Sequence, residues 1–206
     1  AALFYISGQQ ATGRIKYNIL GENDIDSTNS ELSFKLLFYP KRRVVSIIEK
    51  HILILETTKD FVWKFEQENV RILQQMGYVV HYAANLREPE YISNETELQK
   101  MGVLIHHIEI ARSPFILQDN WQALQELLNL MKQYPIQAIH CHTPVGGVLG
   151  RLAGRLSHYR RIHIIYTAHG FHFYRGAPLA NRLLYYQAER FLARYTDVLI
   201  VINSED

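Results

Sequence analysis

Ile136-Gln137-Ala138-Ile139-His140-Cys141-His142-Thr143-Pro144-Val145-Gly146-Gly147 opens as an apolar strand and ends in a polar, glycine-bearing turn into a helix. The same grammar returns in Tyr166-Thr167-Ala168-His169-Gly170-Phe171-His172, which follows the apolar residues 162–165. Each run sits where a strand gives way to a helix. In an open α/β sheet that is the rim outside the carboxyl ends of the strands, where ligands bind. Two such rims, both carrying imidazoles and glycines, read as a binding site.

Outward from these runs, strand and helix alternate in both directions. Ile52-Leu53-Ile54-Leu55 is a short continuous apolar run, the pattern of a strand buried on both faces. Residues 61–76 place Val62, Phe65, Ile72, Leu73 and Met76 at helical spacing, and Gly77 supplies a stop. Residues 78–83 form a second strand, 95–100 a short helix ended by Gly102, and 103–108 a third strand. The spacing predicts a helix over 119–134 with Trp121, Leu124, Leu127, Leu128 and Met131 on one stripe, closed by Pro135. Residues 136–141, 162–167 and 197–202 are the remaining strands, with helices over 148–156 and 178–195 between them. Such alternation implies a Rossmann-like parallel sheet of about six strands, flanked by helices and joined by right-handed crossovers.

Residues 1–49 stand outside this rhythm and form an unassigned extension. Short strands are expected over 3–6 and 15–20, with Gly8, Gly13 and Gly21 as turn signals. The cluster Pro40-Lys41-Arg42-Arg43 reads as a solvated turn. The Rossmann-like domain occupies 50–206.

Composition narrows the class of partner. A chain of 206 residues with 48% hydrophobic and 20% charged side chains buries a sizeable core. A net charge of +2 gives no reason to expect nucleic acid. The single Cys141 excludes an internal disulfide framework and fits a reducing compartment. No apolar run is long enough to span a bilayer, so the expected location is cytoplasmic, with any membrane contact peripheral. The chain starts at Ala1 and stops just after a strand, and we read it as a fragment.

Two apart on a strand, His140 and His142 point to one face and Cys141 to the other. His140 reads as a hydrogen-bonded interior histidine, and His142, at the strand end, as the ligand-facing one. Gly146 and Gly147 have two readings. They let backbone N–H groups at a helix start approach a ligand, or they let the helix pack close to the sheet. His169, followed by Gly170, is aimed into the crevice, where a neutral imidazole both donates to and accepts from sugar hydroxyls. His172, Phe173 and Tyr174 continue an aromatic loop, and Arg175 adds a cation suited to phosphate. Arg151, Arg155 and His158, with Arg160 and Arg161 beyond, form a basic helix face. It reads first as solvated, and otherwise as a contact for anionic lipid headgroups or a pyrophosphate.

The phrases from His140 to Arg151 and from Tyr166 to Tyr174, with Gly176-Ala177-Pro178-Leu179 and Arg194-Tyr195-Thr196-Asp197, carry a family resemblance. The stretch from about residue 50 onward resembles the N-terminal half of a family 4 retaining glycosyltransferase with the GT-B fold. It is most similar to the subgroup of capsule and exopolysaccharide clusters. The resemblance implies an acceptor-side domain facing a C-terminal domain that holds a nucleotide-sugar, with transfer in the cleft between them. It implies no cofactor and no bound metal. His169 matches the family's active-site histidine, and His142, Thr143, Gly146 and Gly147 match the neighbouring acceptor-side loop, with Gly170, His172 and Arg175 beside them. Thr57, Thr58 and Lys59 sit where many relatives carry glycines near the donor phosphates. A lipid-linked sugar acceptor is the implied partner. The donor half is missing here, so the chain alone is expected to be inactive.

Two other classes compete. A zinc hydrolase would use His140, His142, His169 and His172, but no His-x-x-x-His helix or Cys-x-x-Cys pair is present and the imidazoles lack an obvious carboxylate partner. A non-catalytic binding module is the other, and the missing Gly-x-Gly-x-x-Gly turn speaks against a dinucleotide for it.

Overall fold

The computed structural model describes residues 4–5, 18–19, 49–87, 94–157, 161–170 and 179–202, without the side chains of 179–182 and 184. The chain divides into two units, 1–47 and 48–206. In the first, strands β1 (Phe4–Tyr5) and β2 (Asn18–Ile19) pair antiparallel, inside the two segments where the sequence placed short strands. The basic cluster at 40–43 lies outside the described residues.

The second unit is built on β3 (Lys50–Thr58), β4 (Tyr78–Asn85), β5 (Leu104–His107), β6 (Ile136–His142), β7 (His163–Ala168) and β8 (Val198–Val201). All are parallel, in the order β5-β4-β3-β6-β7-β8. The chain adds strands outward from β3 in one direction, then returns and adds them in the other from β6. This is the doubly wound order, and its reversal point between β3 and β6 opens a crevice at their carboxyl ends. Helices α1 (Gln67–Gln75), α2 (Glu95–Lys100), α3 (Leu117–Gln133), α4 (Pro144–Leu156) and α5 (Leu179–Leu192) supply the crossovers. No helix among the described residues is long and apolar enough to cross a membrane.

Alternation along β3 feeds two cores. Leu53 and Leu55 pack with Leu127, Ile139, Cys141, Leu149 and Ile164 beneath α3 and α4. Ile52 and Ile54 pack with Val62, Val70, Val80, Tyr82 and Leu98 beneath α1 and α2. A central strand with both faces covered is apolar at every position, as residues 52–55 read.

Three local expectations are corrected. The helix over 61–76 begins with a π-turn at Val62–Glu66 before α1. A wide turn holds more residues than an α-turn and rotates everything after it. The buried positions are Val62, Glu66 and Val70, each four residues apart, while Phe65, Ile72 and Met76 are exposed. On α3, Trp121 is exposed and Ala123, Leu124, Leu127, Leu130 and Met131 form the seam. Helix α4 starts at Pro144, four residues before the predicted 148, so Gly146 and Gly147 lie inside its first turn with Pro at a tolerated first position.

The basic face of α4 is also corrected at its centre. Arg151 is 1% exposed and cannot meet a lipid surface. Its Nε donates to Gly147 O at 2.8 Å, its NH1 and NH2 donate to Glu189 at 2.6 and 2.9 Å, and it lies 4.2 Å over the Tyr166 ring. The fork geometry of guanidinium suits such a bidentate clamp, which here ties α4 to α5. Arg155 and Arg161 line a groove of about 320 Å³ with Arg194, near the amino end of β7. His158 and Arg160 lie outside the described residues.

Candidate functional site

The carboxyl ends of β3, β6 and β7 bring four groups of side chains together. From β6 comes His142, 0% exposed, and from just past β7 comes the exposed His169. His142 Nδ1 stands 3.2 Å from His169 Nε2, within hydrogen-bond distance. His140 lies behind them, its ring centroid 4.1 Å from that of His142, and its Nε2 stands 2.8 Å from Thr167 Oγ1. Phe61, from the turn after β3, closes over the pair at 4.8 Å from His142 and edge-on at 5.4 Å from His169.

Burial sets the protonation of this stack. Desolvation holds His140 down at about 4 and His142 at about 2, with neighbouring imidazoles adding repulsion to any proton. Both are neutral at physiological pH. The group presented to the crevice is His169, with His142 as its buried support.

Backbone geometry turns the chain at this point. Thr143 follows His142 with φ 58°, a left-handed value that disfavours a β-branched residue. Its Oγ1 donates to His142 O at 2.6 Å. Gly170 follows His169 with φ 118°, a conformation that only glycine adopts freely. At Gly147 the packing reading prevails, because an added Cβ would stand 2.5 Å from the Tyr166 ring. At Gly146 it would meet Thr143 Oγ1 at 3.1 Å, so this glycine makes room for the strained threonine.

Across the crevice, β3 ends in Glu56, Thr57 and Thr58. Glu56 is 1% exposed; Thr57 N–H and Oγ1–H donate to its Oε1 at 2.8 and 2.9 Å, while Oε2 has no partner among the described residues. Desolvation raises this carboxyl to about 7, against the lowering effect of the Thr57 and Thr143 contacts. Glu56, Thr57, Thr58, Asp60, Phe61, Lys64, Arg112 and Thr143 line an open cleft of about 280 Å³ at the sheet reversal. Lys59 is not among its lining residues, and Lys64, ion-paired to Asp60, faces it instead.

The fold therefore brings His142 and His169 together at the ends of β6 and β7, and sets Thr143 with Thr57 and Thr58 in the lining of the cleft, where neither histidine is among the lining residues. His172 and Arg175 lie outside the described residues. Glu56, Phe61 and Glu66 were missed by sequence reasoning. A lone acid at the end of an apolar strand was a usable signal for Glu56. Glu66 was missed because an acid on a buried helix face runs against the apolar pattern; its carboxyl is raised by desolvation despite an Asn69 bond at 2.7 Å.

A doubly wound domain with its crevice between the first and fourth strands of the sheet unit has the GT-B type of fold. MurG from Acinetobacter baumannii shares the fold, with a TM-score of 0.51 at 20% identity over 76% of this chain and 42% of that one. Residues 51–203 match the family described as glycosyl transferase 4-like, and the chain belongs to that family. It is 42% identical over 157 residues to the putative glycosyltransferase EpsD of Bacillus subtilis, covering 76% of this chain and 39% of that protein. A second relative is the Escherichia coli UDP-Gal:alpha-D-GlcNAc-diphosphoundecaprenol alpha-1,3-galactosyltransferase, 31% identical over 97 residues, 47% of this chain and 24% of that protein. The chain thus spans well under half the length of either relative.

Proposed function

We propose that this domain is the acceptor-binding half of a retaining glycosyltransferase that extends a lipid-linked bacterial polysaccharide at the cytoplasmic side of the membrane. The observation that carries this reading is the exposed imidazole of His169, propped on the buried His142 at the reversal point of a family 4 sheet. His169 touches the acceptor or the transferred sugar, and Thr143 lines the same crevice. A nucleotide-sugar is held by a second α/β domain, and no metal is needed to hold it. Support for a pyrophosphoryl lipid acceptor comes from the name of the Escherichia coli relative, whose acceptor is a diphosphoundecaprenol sugar. The exposed Arg155 and Arg161 remain the membrane-facing candidates.

Catalysis requires both reactants to be fixed together in a closed site, so one half by itself binds without turning over. The test is titration of the 206-residue chain with a short-chain polyprenyl pyrophosphoryl sugar, followed by tryptophan fluorescence. Binding is expected, weakened roughly tenfold by His169→Ala through loss of one hydrogen bond to the ligand. No transfer is expected with any nucleotide-sugar. Absence of binding, or turnover by the chain alone, would overturn the proposal.

A further inference from the structure

The π-turn after β3 has a chemical result. It delivers Glu66 to the two strand-borne histidines, so that one carboxylate oxygen and one ring nitrogen from each of His140 and His142 lie within 4.8 Å of one another. All three residues are buried, at 8%, 9% and 0% exposure. His142 Nε2 has no partner among the described residues, and a buried polar atom without a partner needs an explanation such as a water or an ion. One nitrogen of each ring is already engaged: His142 Nδ1 with His169, and His140 Nε2 with Thr167 Oγ1. Outer hydrogen bonds of this kind orient imidazoles that ligate a metal.

We propose that Glu66, His140 and His142 form a buried site for a zinc-class divalent cation. Two neutral imidazoles and one carboxylate are a donor set that zinc accepts, with metal–ligand bonds of about 2.1 Å and tetrahedral edges of about 3.4 Å. The cation neutralises a carboxylate that burial disfavours, and it occupies the lone pair of His142 Nε2. It also pins the turn after β3 to β6. The site lies beneath His169 rather than in the cleft lined by Glu56, so it is independent of how the donor is held.

The test uses the chelator-stripped 206-residue chain and zinc ion alone. After equimolar addition and gel filtration, elemental analysis is expected to find one equivalent retained, with a raised melting temperature. Glu66→Gln and His142→Gln are each expected to weaken zinc binding at least tenfold. His106→Gln, in a separate imidazole cluster, is expected to leave it unchanged. Retention of no zinc overturns the proposal and leaves a bridging water as the occupant. Loss of binding in His106→Gln, or undiminished binding in both ligand variants, overturns it as well. If His142→Gln does not fold, Glu66→Gln decides. Metal uptake is read without any transfer assay, so its failure leaves the acceptor reading standing.

Discussion

Glu56 presents its carboxyl to the crevice from almost complete burial, with one oxygen bonded twice to Thr57 and the other unpaired. Its value rises from 4.5 to about 7, so the folded chain holds this proton more tightly than the unfolded one. The stability this contributes is full below pH 4.5 and is lost as pH rises through about 7. Glu56→Gln, which keeps the acceptor for Thr57 but cannot ionise, is expected to stabilise the chain at pH 8 by up to about 3 kcal/mol. It should be near neutral at pH 4.5, as urea unfolding at the two pH values would show. His169 was legible because an imidazole before a glycine at a strand mouth has few structural uses. Glu56 was not, because its role depends on strand reversal beside it, and Glu66 was not, because a charged residue on a buried helix face breaks the apolar pattern by which such faces are read.

Helix α4 lies against the sheet along Gly147, Gly150 and Gly154. An added Cβ at these positions would strike Tyr166, Cys141 and Ile164 respectively. The Tyr166 ring cannot swing aside freely, since Arg151 covers it and is itself clamped to Glu189. Gly147→Ala is expected to lower stability by about 1–3 kcal/mol through overpacking. Gly154→Ala should act similarly against Ile164, and denaturant titration of both reads the cost. The neighbouring strands hold a second device. His51, His81 and His106 form a hydrogen-bonded row across β3, β4 and β5, with spacings of 2.8 and 2.9 Å, Tyr134 packed on the rings and Glu49 3.7 Å from His51. Burial first, then the charges of His106 and His51, lower His81 to about 4. Its contribution is present above pH 6.5 and is lost as pH falls through about 4, opposite in sign to Glu56. In a Glu56→Gln background, the urea midpoint should therefore drop over that range, and His81→Gln should reduce the drop in part, the remainder coming from His140 and His142.

For the molecule as a whole, alternation of apolar runs with amphipathic segments was enough to foresee six parallel strands, because the central strands β3, β4 and β6 are too apolar to leave either face open, although the edge strand β8 is exposed along its length. Strand order was not legible. Nothing local distinguishes a β6 that returns to β3 from one that continues past β5. The same limit hid Arg151, whose place on a basic stripe looked solvated until α5 was laid against it. The two rims close adjacent strands, β6 and β7, which is why His142 and His169 meet.

Cys141 gives this architecture a built-in clock. The lone thiol lies fully enclosed between Leu55 and Gly150 of α4, and burial pushes it up to about 12. A maleimide or disulfide reagent can reach the sulfur only when α4 lifts from the sheet. Modification in native buffer should run at least about a thousandfold slower than in denaturant, by the free energy of that opening. Any ligand that tightens the crevice at the head of α4 should slow the reaction further. Occupancy could then be followed by mass spectrometry, with no added label.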